Sequence, residues 1–406
     1  MRFSSIAKYA LERPSSIREI MSLVADFEKH PEKYPRKLIY LGGGWPQDLP
    51  PRPVLEALTE LDEEDLRVSA RYSPTKGDPD YLEALRIYER ELFGKNFSED
   101  EVISGSGSTD LTSAIFKAFL DPGDEMVLTR PCYLNYTRQL EIEVGGVRIK
   151  RWNLIKDGKF EPDLEELKEM VTEKTKLILI TTPGNPDSQV MGDEIVRAVT
   201  EIAAEKGAYV VLDEAYRAFH YSEEPRYISE DREENQILLL TLSKEMRVPG
   251  WRLGHVVADK EVIRALETIE QGRTLTPSRL PQRVIVKALQ NEDRIKEVRR
   301  FIREETPRKY GEVARRTAEL MKEVPHLRIL EPRGGFYVFF DASSVMPSSK
   351  EFVSKLLNEW QVALAPGVDF GMEGWIRLSF APSVEDMSYI EEGVSRIRSF
   401  VSSIRT

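Results

Sequence analysis

The chain has 406 residues, of which 41% are apolar and 31% charged, and it carries a net charge of −11. This acidic balance argues against nucleic acid or a membrane surface as a partner, because neither phosphate neutralisation nor attraction to anionic lipid would favour binding. The single cysteine, Cys132, excludes an internal disulfide and a cysteine-based metal site, and the four histidines form no local metal motif.

The sequence shows no segment that would direct it to a membrane. No apolar run approaches the roughly 18 residues of a membrane-spanning helix. The start, Met1-Arg2-Phe3-Ser4, leads into no apolar signal-peptide core. We therefore expect a soluble, cytoplasmic protein without a metal.

Strand-like and helical patterns alternate through the middle of the chain, after a first helical pattern at residues 17–29. Such alternation is typical of strand–helix units that build a mostly parallel sheet. Apolar runs bounded by Gly, Pro and Asp predict strands at 126–129, 177–181, 208–212, 237–242 and 254–257. Amphipathic patterns predict helices at 111–120, 163–172, 192–206 and 260–271.

The pattern changes beyond about residue 290. A long charged helix is predicted at 292–324, strands at 335–340 and 375–380, and further helices at 349–360 and 384–399. This mixture favours a second, smaller α+β domain. We therefore predict an N-terminal segment that packs with the small domain (1–45), a large domain (46–290) and the small domain itself (291–406).

The most informative motif contains Lys244, which lies just past an apolar strand. A buried ammonium is costly unless it is paired or its pKa falls, and a lysine in such a position suits Schiff-base chemistry. The hydroxyls of Thr241 and Ser243 and the guanidinium of Arg252 are suited to gather round one phosphate. A lone lysine is more often solvated, so this motif needs independent support.

Two other strand ends carry polar side chains that provide such support. Asp213 closes an apolar strand, where ligands of open α/β sheets bind. At about 4 Å and an effective dielectric near 20, its attraction for a protonated ring nitrogen is about 4 kcal/mol. Asn185 offers an amide donor after another strand. The alternatives are a helix N-cap for Asp213 and an ordinary Asn-Pro turn for Asn185.

A glycine-rich segment, Ser104-Gly105-Ser106-Gly107-Ser108-Thr109, runs into a predicted helix. Its exposed backbone N–H groups at the start of that helix make a ready anion site. It matches neither the dinucleotide-binding fingerprint nor a P-loop. A nicotinamide dehydrogenase is therefore not favoured.

These motifs, in this order, resemble the class I and II aminotransferases, which are pyridoxal phosphate enzymes of fold type I, over nearly the whole chain. The resemblance implies an α/β fold in which helices cover a mostly parallel seven-stranded sheet, plus a smaller α+β domain. It implies that Lys244 binds pyridoxal 5′-phosphate covalently and that Asp213 pairs with the pyridine nitrogen. It further implies cofactor contacts from Ser108, Thr109, Tyr133, Asn185, Tyr216, Thr241, Ser243 and Arg252.

Three further segments resemble the family where it reaches towards substrate. Arg377, before Leu378-Ser379, matches the arginine that clamps the substrate α-carboxylate, and Asn185 lies on the same side. Gly43 belongs to a segment similar to the glycine loop over the substrate. Tyr72 resembles the tyrosine that reaches the phosphate in the neighbouring subunit, so the resemblance implies a homodimer.

Residues 15–20 resemble the N-terminal helix of the aminoadipate, kynurenine and aromatic aminotransferase subgroup. An arginine on that helix can meet a distal carboxylate, and Arg18 occupies this place. If Arg18 faces the pocket, acidic or large amphipathic substrates are favoured. The alternative is a solvent-facing side chain, as is usual for an Arg-Glu pair on a helix.

The implied reaction moves an amino group from an L-amino acid to a 2-oxo acid such as 2-oxoglutarate, in a ping-pong cycle through pyridoxamine phosphate. The donor is expected to be aromatic, aminoadipate-like or alanine-type. A pyridoxal phosphate lyase or synthase on the same fold is the main alternative, because the same lysine and aspartate serve those reactions. A non-catalytic regulator of related fold is disfavoured, because Lys244 is present.

Overall fold

The structure is a computed structural model that describes residues 2–13 and 16–404, with side chains at all of these positions except 16–19. Its helices, in chain order, are α1 (Ser5–Glu12), α2 (Ser16–Lys29), α3 (Arg52–Thr59), α4 (Glu63–Ser69), α5 (Pro79–Phe93), α6 (Ser108–Phe119), α7 (Asn135–Glu143), α8 (Leu164–Met170), α9 (Asp193–Glu205), α10 (Leu242–Glu245), α11 (Lys260–Arg273), α12 (Arg279–Ala288), α13 (Glu292–Arg300), α14 (Thr306–Lys322), α15 (Ser349–Trp360) and α16 (Met387–Ile404). Its strands are β1 (Ile39–Tyr40), β2 (Val102–Ser106), β3 (Glu125–Arg130), β4 (Arg148–Asn153), β5 (Ile155–Lys156), β6 (Lys159–Phe160), β7 (Thr175–Thr181), β8 (Tyr209–Asp213), β9 (Gln236–Thr241), β10 (Leu253–Val257), β11 (Arg328–Leu330), β12 (Tyr337–Asp341), β13 (Val362–Ala363), β14 (Ala365–Pro366) and β15 (Trp375–Ser379).

The large sheet has seven strands in the order β2-β10-β9-β8-β7-β3-β4. All neighbouring pairs are parallel except those of β10, which runs antiparallel to β2 and β9. The central strands are apolar and almost wholly buried, as expected for strands covered by helices on both faces. The prediction of a mostly parallel seven-stranded sheet is confirmed.

Three of these strands end at the same edge of the large sheet. β7 ends at Thr181, β8 at Asp213 and β9 at Thr241. Because β10 is antiparallel, its first residue, Leu253, lies beside this edge and pairs with Ser106 at the end of β2. Polar side chains that follow these strand ends therefore converge on one crevice.

A second sheet of four antiparallel strands, in the order β11-β12-β15-β14, forms the smaller α+β unit. The short strand β1 pairs in parallel with β13, which joins the N-terminal segment to the C-terminal part of the chain. The division at residues 45 and 290 stays a prediction. No helix among the described residues has the length and apolar character that a membrane crossing requires.

The long charged helix predicted at 292–324 differs from the observed structure in one respect. Between α13 and α14 lies a five-residue π-helical turn, Phe301–Glu305. Helical periodicity is too coarse to detect one wider turn, because the apolar face continues through it with Ile302 and Thr306 buried. The flanking strands β2 and β4 and the helices α3 to α5, α7 and α12 had no predicted counterpart.

Candidate active site

The crevice at the carboxyl edge of the large sheet opens into a cavity of about 380 Å³. Its charged lining residues are one carboxylate, Asp213, and three cations, Lys244, Arg252 and Arg377. The remaining lining residues are Met21, Tyr40, Gly42, Gly44, Trp45, Ser108, Thr109, Tyr133, Leu134, Tyr136, Thr181, Asn185, Ala215, Tyr216, Thr241, Ser243, Pro249 and Tyr337. The cavity thus brings together eleven of the fourteen predicted site residues, all except Arg18, Gly43 and Tyr72.

Lys244 is carried by α10, a single helical turn that directly follows β9. Its Nζ donates a hydrogen bond to the carbonyl oxygen of Gly44 at 2.7 Å. Burial lowers the pKa of this amine to about 8, and the nearby charges of Arg377 and Arg252 act in the same direction. About a tenth of the amine is therefore free base at pH 7, far more than for an ordinary lysine, and a nucleophile or general base requires this form.

Asp213, the last residue of β8, is buried and hydrogen-bonded on both oxygens. Oδ1 accepts from the backbone N–H of Ala215 at 3.0 Å, and Oδ2 accepts a short hydrogen bond from the hydroxyl of Tyr136. Burial raises the pKa of Asp213 to about 6, while the Tyr136 hydrogen bond opposes this rise. The carboxylate is therefore ionised at neutral pH and able to attract a cationic group in the cavity.

Hydroxyls and a helix start form a second corner of the cavity. Thr241 Oγ1 lies 2.9 Å from Ser243 Oγ and accepts from its backbone N–H at 3.2 Å. Ser108 and Thr109 are the first residues of α6, whose free N–H groups carry the positive end of the helix dipole. These groups together make an anion site.

Arg252 lies against Gly107, which precedes α6 with a φ of 84°. A Cβ at residue 107 would come within 2.3 Å of Arg252 Nη2, so glycine is needed both for the backbone angle and for the space. Arg252 itself adopts a left-handed backbone, with φ of 56°, and Nη1 donates to the carbonyl of Pro249 at 2.9 Å. The glycine-rich segment thereby places a guanidinium beside the hydroxyl corner.

Asn185, Tyr216 and Arg377 are joined by hydrogen bonds. Asn185 Nδ2 donates to the hydroxyl of Tyr216 at 3.0 Å, and its Oδ1 accepts from Arg377 Nη1 at 2.8 Å. The Tyr216 hydroxyl also lies 2.9 Å from that of Tyr337. Burial raises the pKa of Tyr216 well above its ordinary value, so this phenol is a neutral hydrogen-bonding group.

Arg377 is 3% exposed and sits between the rings of Tyr337 and Phe370, at 4.4 and 4.7 Å from their centres. Its Nη2 donates to the carbonyl oxygen of Gly42 at 2.9 Å. Its Nε is buried without a hydrogen-bond acceptor in the part of the chain that the structure describes. A buried guanidinium with an unused donor is suited to bind a carboxylate.

Tyr133 lines the cavity beside Tyr136, with ring centres 5.4 Å apart and the rings nearly perpendicular. Its hydroxyl accepts from Asn135 Nδ2 at 2.8 Å. The cavity is also lined by Met21 of α2, Tyr40 and Trp45, where the hydroxyl of Tyr40 lies 2.9 Å from the sulfur of Met21 and its ring centre 5.9 Å from that of Trp45. We call these three residues the apolar wall.

Three predicted site residues are not part of the cavity lining. Gly43 packs against the Tyr40 ring and is absent from the cavity lining, whereas its neighbours Gly42 and Gly44 line it. Tyr72 is 81% exposed on the surface. Arg18 lies within α2, but its side chain is outside the described residues.

Two residues central to the site were missed by the sequence analysis. Tyr136 contacts Asp213, and its only sequence signal is its spacing of three from Tyr133 across the start of α7. Tyr337, at the start of β12, contacts Tyr216 and stacks on Arg377. Both come from elements distant in sequence from their partners, so a motif search has no reason to find them.

The donor groups of the cavity fit pyridoxal phosphate. A hydroxyl corner with a helix start and Arg252 suits the phosphate, Asp213 suits a protonated pyridine nitrogen, and Lys244 suits the aldehyde carbon. Glycine at position 107 lets the Arg252 guanidinium lie directly against the start of α6. Fold and cavity together define a pyridoxal phosphate enzyme with an α/β fold, in which helices cover both faces of the large sheet.

Comparisons with known proteins agree with this class. A family model for aminotransferase class I and II matches residues 36–397. An aspartate aminotransferase of Pyrococcus horikoshii is 30% identical over 95% of either chain, and an aspartate/prephenate aminotransferase of Thermus thermophilus is 30% identical over 80% of this chain and 83% of that one. A solved structure of a Thermus thermophilus aspartate aminotransferase single mutant aligns at a TM-score of 0.84 and 27% identity, over 98% of this chain and 100% of that chain.

The chain belongs to the class I and II aminotransferases. It is a pyridoxal phosphate-dependent transaminase that acts on amino acids and 2-oxo acids. The prediction of amino transfer is thereby confirmed, and the choice of substrate is addressed below.

Proposed function

We propose that this transaminase takes L-amino acids with large aromatic or apolar side chains as donors and a 2-oxo acid such as 2-oxoglutarate as acceptor. The apolar wall of Met21, Tyr40 and Trp45 supports this choice. An aromatic or aliphatic side chain is stabilised by burial against such a wall, by about 25 cal/mol per Å² of apolar surface.

Arg377 binds the substrate α-carboxylate in this proposal. Its buried Nε has no acceptor among the described residues, and the Tyr337 and Phe370 rings fix the plane of its guanidinium group. Asn185 holds Nη1 and also reaches the Tyr216 hydroxyl. Binding of a carboxylate at Arg377 is therefore linked to the pair Asn185 and Tyr216, which would hold the phenolic oxygen of the cofactor.

Pyridoxal phosphate, when bound, supplies the electron sink that makes loss of the substrate α-proton possible. Asp213 holds the proton on its pyridine nitrogen, and Tyr136 keeps that carboxylate ionised and oriented. The hydroxyl corner of Ser108, Thr109, Thr241 and Ser243, with Arg252 beside it, holds the phosphate, and Tyr133 packs on the ring.

Lys244 moves the proton in this proposal. With the substrate amine, and not Lys244, bonded to the cofactor, Nζ would be free to accept the proton from the substrate Cα, because burial lowers the pKa of this amine to about 8. In the return half of the cycle the same Nζ gives a proton back to Cα of the product amino acid. The hydrogen bond from Nζ to the Gly44 carbonyl places the amine at the junction of cofactor and substrate sides.

We also propose that the enzyme is a homodimer in which Tyr72 completes the neighbouring subunit's phosphate corner. Tyr72 is 81% exposed, and the apolar side chains of Leu275 and Leu280 are 45% and 44% exposed. Arg279 donates to the Tyr72 carbonyl, which brings these residues onto one surface. Apolar groups clustered on a surface mark an interaction site.

Two measurements test the homodimer. Light scattering gives the mass of the protein in solution. Tyr72→Phe is expected to weaken cofactor binding several-fold if Tyr72 reaches the neighbouring subunit's phosphate corner.

The test of the donor class is the visible absorbance of the cofactor-loaded protein during single half-reactions. Phenylalanine, tyrosine, leucine, alanine, aspartate, glutamate and 2-aminoadipate are added one at a time without an oxo acid. Bleaching at the lowest concentrations by phenylalanine, tyrosine or leucine, reversed by 2-oxoglutarate, is the expected result. A preference for alanine, or an absence of bleaching by large apolar donors, would contradict the proposal.

A dicarboxylic donor is the second candidate, because the relatives named above are called aspartate aminotransferases. It requires a second cation for the distal carboxylate. The described cavity lining has no such cation at the apolar wall, and Arg18 on α2 is the residue that the resemblance offers for this role. The test is the half-saturating concentration of each donor in Arg18→Met. A rise of about tenfold for aspartate or 2-aminoadipate, with no change for phenylalanine, would favour this candidate.

A further inference from the structure

Arg247 is a buried arginine, three residues after Lys244, to which the roles above assign nothing. Its backbone has a φ of 58°, in the left-handed region that costs free energy for a residue with a side chain. It is not part of the cavity lining. Its guanidinium group nevertheless contacts three separate parts of the chain that meet behind the cavity.

The first contact is with the turn that carries Lys244. Arg247 Nη1 donates to the carbonyl oxygens of Lys244 at 3.2 Å and Glu245 at 2.8 Å. Helix α10 is a single turn, and its last carbonyls lack partners within the helix. Arg247 therefore caps the carboxyl end of this turn and fixes the backbone from which Lys244 extends.

The second contact is with Asp48, which is 7% exposed. Arg247 Nε donates to Asp48 Oδ1 at 3.1 Å, and the same carboxylate accepts from the Tyr310 hydroxyl at 2.6 Å and Lys309 Nζ at 3.2 Å. Burial alone would raise the pKa of Asp48, but the charge of Arg247 and the Tyr310 hydrogen bond hold it below its ordinary value. The buried pair is therefore ionised and satisfied on both sides.

Asp48 lies four residues beyond Gly44 in the segment that follows β1. Gly44 accepts from Lys244 Nζ, and Gly42 accepts from Arg377 Nη2. We call residues 42–48 the glycine loop segment. Lys244 and Arg377 hold its first part, and Arg247 holds its last residue.

The third contact is with the start of α14. Arg247 Nη2 donates to Thr306 Oγ1 at 2.8 Å, directly after the π-helical turn. The guanidinium carbon lies 4.8, 5.0 and 5.2 Å from the ring centres of Phe301, Tyr310 and Phe219. Only a planar group with several donors satisfies the carbonyls, the carboxylate and the hydroxyl together while it stacks between rings.

We propose that Arg247 is a positioning residue that couples the turn of Lys244 to the glycine loop segment, and so holds that segment over the substrate side of the cavity. It acts through Asp48 and through the main chain at 244–245, and touches neither substrate nor cofactor. The inference rests on the role of Lys244 proposed above. Loss of the coupling should weaken amino acid binding and leave the phosphate corner intact.

The test compares Arg247→Met, Asp48→Asn and the double variant in the cofactor-loaded protein. Methionine keeps an unbranched apolar stem between the three rings. Arg232→Met is the matched control, because Arg232 is 11% exposed at its side chain and bridges Glu101 and Asp259 at the opposite edge of the sheet. The readouts are half-saturation by phenylalanine in the single half-reaction, the dissociation constant of the cofactor, and hydrogen exchange of the amides in residues 42–48.

Arg247→Met is expected to raise the half-saturating phenylalanine concentration about tenfold, and to keep cofactor affinity within threefold of wild type. The amides of residues 42–48 should exchange faster in Arg247→Met and not in Arg232→Met. Because either substitution breaks the Arg247–Asp48 contact on which the coupling depends, the double variant should bind phenylalanine about as well as the more impaired single variant. If Arg247→Met folds poorly, Asp48→Asn gives the same comparison with the cation kept.

Half-saturation within twofold of wild type in both single variants, or additive effects in the double variant, would overturn the inference. A loss of cofactor affinity as large as the loss of amino acid affinity would also overturn it, because the effect would then be on the Lys244 turn alone. Failure of the proposed function looks different. In that case the wild-type protein itself would prefer alanine as donor or would not be bleached by large apolar amino acids, whatever the variants do.

Discussion

The two halves of the cavity are built in different ways. The cofactor half consists of strand ends of the large sheet and the helix starts that follow them. Its groups, such as Asp213 and Thr241, are held by hydrogen bonds of 2.9–3.2 Å. The substrate half is assembled from α2, the glycine loop segment, Tyr337 and Arg377, which come from distant parts of the chain. The reacting groups therefore lie on the hydrogen-bonded edge of the large sheet, whereas the residues that would select the substrate come from several distant segments. The two halves should therefore fail differently when changed.

Lys244→Ala should have the largest effect, because Lys244 serves both halves. General acid–base catalysis contributes about 10²–10⁴-fold, so turnover should fall by at least about 10²-fold, and further because the covalent attachment of the cofactor is lost as well. Steady-state transamination of phenylalanine with 2-oxoglutarate measures the loss, and Lys206→Ala, an exposed lysine paired with Glu173, is the control. Wild-type turnover by Lys244→Ala would refute the mechanism.

Asp213→Asn should impair the cofactor half by about 10²-fold or more in turnover, because a neutral amide does not keep a ring nitrogen protonated. The cofactor-free protein should become more stable. Burial raises the folded pKa of Asp213 from 3.8 to about 6, so its ionisation costs stability as the pH rises through this range. At about 1.4 kcal/mol per pKa unit the gain at pH 8 is up to roughly 3 kcal/mol.

Denaturant unfolding of the cofactor-free protein at pH 4 and pH 8 checks this trade. The gain should be present at pH 8, where wild-type Asp213 is charged in both states, and mostly lost near pH 4, where the folded form is protonated and the unfolded form is only about half ionised. A variant that is less stable than wild type at pH 8 would contradict the assigned direction of the pKa.

Two arginine variants separate the halves of the cavity. Arg377→Lys should raise half-saturation by the amino acid by about 10-fold or more and leave cofactor affinity near wild type, because lysine lacks the planar fork. Arg252→Lys should do the reverse: it should weaken binding of the cofactor and leave binding of the amino acid near wild type. Titration of the cofactor and of phenylalanine in each variant gives both constants. Equal losses of both ligands in both variants would contradict the division into halves.

Tyr136→Phe should have the smallest effect, of a few-fold in turnover at pH 8. The Tyr136 hydrogen bond lowers the pKa of Asp213, so its removal should raise that pKa. The acid limb of the pH–rate profile should then move to higher pH, by roughly 0.5–1 unit. Tyr81→Phe, which removes another buried hydroxyl, one without a partner among the described residues, is the control. An acid limb that stays in place would show that Tyr136 does not tune Asp213.

The same division explains how far the sequence could predict the molecule. Apolar runs and the polar residues that follow them located β7, β8 and β9 within one residue or two, and with them Asn185, Asp213 and Lys244. These signals are local, since a buried strand and its end lie together in the chain.

Features that depend on distant segments could not be predicted in this way. Tyr136 reaches Asp213 across 77 positions, and Arg247 reaches Asp48 across 199. The short edge strands β13 and β14 have two residues each, too few for a period to appear. Gly42 and Gly44 line the cavity and Gly43 does not, and three successive glycines carry no pattern that would distinguish them.

The π-helical turn at Phe301–Glu305 determines the orientation of the helix that follows it, and the contacts of the substrate half with that helix depend on this orientation. This turn already holds one residue more than an α-helical turn, and each residue of an α-helix turns the chain by about 100°, so addition of a further residue here would rotate everything beyond it by that angle. Lys309 and Tyr310 would then leave Asp48, and Thr306 would leave Arg247. A single-codon insertion some 60 residues after the cofactor lysine would in this way loosen a loop near the start of the chain, with no catalytic side chain altered.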